Sequence, residues 1–142
     1  MIDLAENVLA ARDRYLASAG FTTQSYVDPK FVVKLGFLKM TFANPGLLPW
    51  HDLHHVATGY DSSLLGESEI SVFELRAGWG KLLILFLCCG SVLVGLWLSP
   101  HRMWQAWKNA RGARSLYGSN VPYEKLLAMN VGELRQWMKL EG

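Results

Sequence analysis

The stretch Leu82 to Leu98, LLILFLCCGSVLVGLWL, carries no charged residue over 17 positions. No other stretch limits the folds open to the chain so strongly. At 1.5 Å per residue a helix of that length is roughly 25 Å long, at the short end for crossing a bilayer. Trp79 and Trp97 flank it as interfacial aromatics would. Ser91 and Gly95, four residues apart, permit close approach of another helix. A spanning helix, a buried core helix and a helix half-sunk in a membrane all fit the hydropathy. Arg102, Lys108, Arg111 and Arg114 follow, with no acid before Glu124. For a span, that bias would put the C-terminal side in the cytoplasm. The short length favours a core or membrane-dipping helix.

The 142 residues predict one domain, 1–142. Hydrophobic residues make up 51% and charged residues 18%, a greasier balance than in an average soluble domain. The net charge of +2 and the absence of a recognition motif speak against nucleic acid. Cys88 and Cys89 are adjacent within the apolar run, so they imply no disulfide framework and read as buried small hydrophobes. The opening MIDLAEN is acidic, unlike a transit peptide, and no secretory signal is visible. The expectation is a bacterial protein facing the cytoplasm.

The chemistry-bearing residues lie upstream of the apolar run. In PWHDLHHVATGYDSSLLGESEISVFE, Pro49 opens a helix on which His51 and His55 stack one turn apart with Asp52 beside them. His54 falls on another face with Trp50 and Thr58, and reads as structural. The run from Gly59 to Ser63 breaks the helix and supplies caps for the next. That second helix carries Glu67, Ser71, Glu74 and Gly78 on one side. Two imidazoles and two carboxylates can thus converge between two helices, a donor set suited to zinc or iron. Chance spacing is the bland alternative. Against it, three of the chain's four histidines cluster at 51–55.

The remainder reads as helices. Ile2 to Ala19 has a helical period and stops at Gly20. Asp28-Pro29 predicts a further helix start, running to Phe42. There Phe31, Leu35, Leu38 and Phe42 form an apolar stripe, either core or one wall of a tunnel for an apolar ligand. His101 to Tyr117 predicts a basic amphipathic helix with Met103, Trp104, Trp107 and Ala110 on its apolar side. It suits either a solvated face over core or contact with anionic lipid. Tyr123 to Met129 and Val131 to Leu140 are two short helices split near Asn130. The expected fold is therefore all-α, a bundle of six or seven helices, with no stretch alternating long enough for a strand.

The pattern H-D-x-x-H, eleven residues, then E, here His51, Asp52, His55 and Glu67, resembles the signature of the Coq-four family, the fourth protein of coenzyme Q biosynthesis. Thr58-Gly59-Tyr60, Gly66-Glu67, Ala106-Trp107, Gly112, Leu116 and Glu133-Leu134-Arg135 resemble it too. The resemblance covers about Phe42 to Gly142, and the N-terminal part is shorter than in mitochondrial members. It implies a divalent metal, zinc or iron, held by His51, Asp52, His55 and Glu67, which are also the candidate catalytic residues. Glu74 is a further ligand or a group that holds the ligands. The resemblance also implies a prenylated quinone precursor as substrate and oxidative decarboxylation at ring carbon one. Peripheral or membrane-dipping placement on the cytoplasmic face of the inner membrane follows, with other ubiquinone-biosynthesis proteins as partners. Homo-oligomerisation is left open. The alternative is a non-enzymatic isoprenoid-binding scaffold that presents the intermediate to other enzymes.

Overall fold

The computed structural model describes residues 2–35, 38–43 and 46–140; for residues 31, 33–35 and 38 it describes the backbone alone. The described elements are predominantly helical: α1 (Val8–Ala19), α2 (Leu48–Thr58), α3 (Leu64–Ala77), α4 (Leu82–Leu98), α5 (Pro100–Asn109), α6 (Tyr123–Leu127) and α7 (Val131–Trp137). Between α1 and α2 lie a 3₁₀ turn, Thr23–Tyr26, and two strands, β1 (Lys30–Leu35) and β2 (Leu38–Ala43). The all-α expectation holds for the body of the molecule.

It fails at the segment expected to be a helix from Asp28 to Phe42. β1 and β2 pair antiparallel, with Phe31 opposite Phe42, Val33 opposite Met40 and Leu35 opposite Leu38. The stripe Phe31, Leu35, Leu38 is thus a cross-strand set and not a helix face. As a wall for an apolar ligand, these three residues fall outside the side chains described.

Side-chain caps mark the helix boundaries. Asn7 accepts from the Leu9 amide at 3.0 Å and starts α1 there, so the expected beginning at Ile2 is too early. Ser63 accepts from the Gly66 amide and starts α3. Asn130 and Glu133 close a capping box at the head of α7, splitting the last two helices where the sequence suggested. The helix expected over His101 to Tyr117 stops at Asn109. From there the chain turns back, and the Arg114 amide donates to the Met138 carbonyl and the Ser115 amide to that of Ala77.

The main core lies where α1, α2, α3, α6 and α7 meet, around Leu53, Ile70, Phe73, Leu126, Leu134 and Met138. Short backbone bonds staple the N-terminal segment to the α6–α7 junction: Val8 to Met129 and Val131 to Glu6, both 2.9 Å. A second, smaller core around Val72, Met103 and Ala106 joins α3 to α5. Gly95 is buried here, and a Cβ on it would overlap the Met103 sulfur and Ser68. The close approach expected from Ser91 and Gly95 is therefore made within the chain. A bidentate pair from Arg102 to Glu69, at 2.8 and 2.5 Å, ties α5 to α3 at the edge of this core.

Only Ile84, Cys88 and Gly95 of α4 are buried, although every residue in it is uncharged. Leu82, Phe86, Leu93 and Trp97 are 68–85% exposed. α4 is therefore not a plain core helix, and among the described residues no helix is long and apolar enough to cross a membrane. The inward stripe is Met103 and Ala106 on α5, continued by its C-cap Ala110. Trp104 and Trp107, expected inside, face out. Cys89 is likewise exposed, while Cys88 is buried.

Candidate metal centre

α2 and α3 lie side by side, and the turn between them fixes the register of their polar residues. Gly66 sits against the Asp61 carbonyl so closely that a Cβ there would overlap it. That contact seats the first turn of α3 and sets Glu67 opposite α2. The result brings His51, His55 and Glu67 together, with one ligand atom from each within 4.8 Å of the others. Glu67 Oε2 is 3.5 Å from His51 Nε2, and Glu67 Oε1 is 3.4 Å from His55 Nε2.

Hydrogen bonds behind the site fix both imidazole tautomers. His55 Nδ1 lies 2.9 Å from the Tyr60 carbonyl, which can only accept, so this nitrogen carries the hydrogen and Nε2 is left as a lone pair. His51 Nδ1 lies 2.8 Å from Glu74 Oε1 and donates to it, so His51 Nε2 also points into the site. The two Nε2 atoms are 3.2 Å apart. Two bare lone pairs at that distance repel unless a proton or a cation stands between them. Ligands about 2.0–2.1 Å from a tetrahedral ion sit about 3.3 Å from one another. The 3.2 Å between the two imidazole nitrogens matches that figure, and Glu67 meets the pair with one carboxylate oxygen toward each ring, at 3.5 and 3.4 Å. The donor set, two imidazoles and one carboxylate, therefore fits a divalent metal with a coordination position to spare.

Glu74 is the hub of the supporting layer. Its buried Oε1 accepts from His51 Nδ1 and His54 Nδ1, both at 2.8 Å, and from the Tyr117 hydroxyl at 2.7 Å. The Cys88 thiol donates to Oε2 at 3.5 Å. His54 is locked in turn, because the Leu116 amide donates to its Nε2 at 2.8 Å. This accepting nitrogen leaves the hydrogen on Nδ1, facing Glu74. A ligand imidazole tethered to a buried carboxylate is held in orientation and made more basic.

The electrostatics follow from this layout. Burial opposes charge on His51 most strongly of all, but the Glu74 and Glu67 carboxylates together outweigh it and raise the ring's pKa well above 6.5. Burial also opposes charge on Glu74 and Glu67. Hydrogen bonds and charge from His51, with those of His54 on Glu74 and His55 on Glu67, nonetheless hold both carboxyls below the usual range. His54 goes the other way, because burial lowers its pKa despite Glu74. Burial pushes the Cys88 thiol up, with Glu74 adding to the shift, so this cysteine is protonated and unreactive.

Of the residues expected at the site, His51, His55 and Glu67 come together as a candidate ligand group, and Glu74 hydrogen-bonds His51 from behind. Asp52 is not among the three. Its carboxylate accepts from the Tyr26 hydroxyl at 2.6 Å, and burial raises its pKa despite His51 and Tyr26. His54 is structural as expected, but it shares the Glu74 oxygen with His51 and so belongs to the same network. Sequence reasoning missed Tyr15, stacked on His55 at 4.7 Å, and also Tyr26 and Tyr117. Trp50 packs on Tyr123, 5.6 Å between ring centres.

Neither a curated protein nor a solved structure matches the chain. A sequence model of the coenzyme Q (ubiquinone) biosynthesis protein Coq4 matches residues 48–142, from the first residue of α2 onward. The match spans about two thirds of the chain and contains the whole ligand group, so the chain belongs to the Coq4 family of coenzyme Q biosynthesis proteins.

Proposed function

We propose that this protein of ubiquinone biosynthesis binds a divalent metal through His51, His55 and Glu67 and acts on a prenylated aromatic acid. The reaction is oxidative decarboxylation at ring carbon one. The observation that carries this reading is the pair of Nε2 atoms 3.2 Å apart, both tautomer-locked toward Glu67. When bound, zinc or iron would supply a Lewis-acidic position for the substrate carboxylate. The chain's own residues do the rest. Glu74 orients His51, the Tyr60 carbonyl orients His55, and Tyr15 covers the His55 ring on one face. Asp52, held by Tyr26 and within electrostatic reach of His51, His55 and Glu67, is a further carboxyl for handling a proton or completing the ligand set. The net change, loss of carbon dioxide and gain of a hydroxyl, is a two-electron oxidation and draws on an external oxidant.

The outward faces of α4 and α5 support membrane placement. Phe86, Leu93, Trp97 and Trp104 are exposed, and the exposed Lys108 follows Trp104 by one turn on α5. An apolar helix lying in the interface with cations at headgroup level fits this pattern. We place the protein peripherally on the cytoplasmic face of a bacterial inner membrane, with other ubiquinone-pathway proteins as neighbours. The same exposed faces favour a second reading, a scaffold that holds the prenylated intermediate while the metal stabilises the fold.

One experiment separates the two. Purified protein is analysed for metal and assayed for carbon-one decarboxylation of a prenylated hydroxybenzoate. His51→Ala and His55→Ala are expected to lower bound metal at least about tenfold. Product that forms only with metal supports the enzyme. Binding of the prenylated ligand without turnover supports the scaffold. Unchanged metal stoichiometry in both variants removes the site as drawn.

A further inference from the structure

His51 and Asp52 are neighbours on α2, and consecutive side chains on a helix point about 100° apart. With His51 turned toward α3, Asp52 meets the N-terminal segment, where the 3₁₀ turn Thr23–Tyr26 packs against α2. The Tyr26 hydroxyl donates to Asp52 Oδ2 at 2.6 Å. Burial, and after it the charge of Asp52, raises the pKa of this phenol, so it keeps its hydrogen and donates. A short O–H bond to a carboxylate is roughly twice as strong as one between neutral groups. Tyr26 is held in turn. It shares a hydrogen bond with Tyr123, whose hydroxyl accepts from the buried Arg12 at 3.5 Å. Asp52 is within electrostatic reach of His51, His55 and Glu67, yet the group whose ligand atoms come within 4.8 Å of one another is His51, His55 and Glu67 without it.

We propose that Tyr26 is a positioning residue: its hydroxyl holds the Asp52 carboxylate out of the metal's coordination shell and keeps the position beside His51, His55 and Glu67 open to an aromatic carboxylate substrate. This inference rests on the metal reading above and decides between the two roles left to Asp52 there. A carboxylate on the helix that carries both histidines competes with the substrate for that position, since oxygen donors suit zinc and iron alike. Bonding it to a buried phenol removes the competitor while its charge stays beside the site. Tyr26 and Arg12 precede residue 48, so the restraint reaches the site from outside the part of the chain that the family model matches.

The test uses the full chain, stripped over chelating resin and loaded with cobalt(II), whose visible absorption reports the number and kind of its ligands. The parent is compared with Tyr26→Phe, Asp52→Asn and Tyr26→Phe/Asp52→Asn, changes that nearly conserve side-chain volume. In Tyr26→Phe the freed Asp52 is expected to join the ion. The cobalt spectrum then shifts, and titrated 4-hydroxybenzoate binds about tenfold or more weakly. Asp52→Asn is expected to keep the parent spectrum and a cobalt affinity within about threefold of the parent's, and the double variant to return to that spectrum. The return separates positioning from packing, because a second substitution does not repair lost packing. A Tyr26→Phe spectrum equal to the parent's, or a shift that persists in the double variant, overturns the proposal. So does a loss of cobalt affinity of about tenfold or more in Asp52→Asn, which would make Asp52 a ligand. A cobalt-loaded parent that gives no response to 4-hydroxybenzoate overturns it too. In all of these outcomes the parent still loads cobalt and the metal reading stands. A parent that takes up no cobalt overturns the metal reading, and this inference with it.

Discussion

The Leu116 amide donates to His54 Nε2 at 2.8 Å and so decides, from 62 residues away in sequence, which nitrogen of His54 faces Glu74. The loop after α5 is thereby tied to the carboxylate behind the candidate metal site through two links, Leu116 to His54 and His54 to Glu74. His54→Ala would leave a buried amide unpaired, remove one donor from a buried carboxylate and open a cavity. Its expected cost is about 3 kcal/mol of unfolding free energy. Urea denaturation of the metal-free protein measures it, and a loss below about 1 kcal/mol would show that the network carries no stability.

Glu74→Gln keeps the shape of the hub and removes its charge. His51 then loses the carboxylate that orients it and raises its basicity. Metal affinity is expected to fall about 10–100-fold, with the fold intact by circular dichroism. Competition against a chelator of known affinity reads the change. An affinity equal to the parent's would mean that Glu74 serves packing alone.

The pKa directions give a pH dependence with a definite sign. His51 titrates well above its ordinary 6.5 in the metal-free fold. Its contribution to stability is therefore complete below pH 6.5 and is lost as pH rises through the raised value. Glu67 and Glu74 titrate below their ordinary 4.5, so their contribution is present above pH 4.5 and lost on acidification. A metal held by this group would take the place of the proton on His51 Nε2. Loading at pH 7 should release about one proton, and affinity should rise with pH until His51 is neutral without metal. Calorimetry in two buffers of different ionisation enthalpy counts the proton. Release of none contradicts the arrangement.

How much of this was legible depends on the range of the interactions. The ligand helix was readable because Pro49, the spacing of His51 and His55 and the break at Gly59 are local signals. Glu67 was readable because one short turn separates it from that helix. The hairpin was not, for a specific reason. The antiparallel register pairs 35 with 38 and 31 with 42, and these four positions also have the 4-3-4 spacing of a helix stripe. On α5, 103-106-110 and 104-107 are equally good helical stripes. Packing of Met103 and Ala106 against Val72 of α3, and of Ala110 in the main core, invisible to periodicity, selects the first. Tyr15, Tyr26, Tyr117 and Leu116 reach the site only through tertiary folding, so no spacing in the sequence announces them.

Gly66 tests whether the inter-helix turn positions Glu67. Gly66→Ala forces its new methyl into the Asp61 carbonyl, so the first turn of α3 has to shift. The expected result is a metal affinity lowered by about tenfold or more, since ligand geometry tolerates only small displacements. Gly90→Ala, at an open position on α4, serves as the control and should bind metal normally. Normal binding by both variants would show that Glu67 finds its place without the close turn.

The exposed face of α4 makes the sharpest claim about location. Leu93 and Trp97 are 68% and 85% exposed, so replacing them with aspartate disturbs no core contact of that size. Leu93→Asp/Trp97→Asp should melt within a few degrees of the parent and keep its metal, because His51, His55 and Glu67 lie on other helices. Each apolar side chain withdrawn from an interface forfeits about 1.5–3 kcal/mol, so vesicle binding should fall at least about a hundredfold. High salt should release only part of the parent protein, because it screens Lys108 and Arg111 but leaves the apolar contact. Vesicle binding that survives the double substitution but vanishes in salt would assign attachment to charge alone. A parent protein that never sediments with vesicles would leave this face to another protein, and the membrane placement would be wrong.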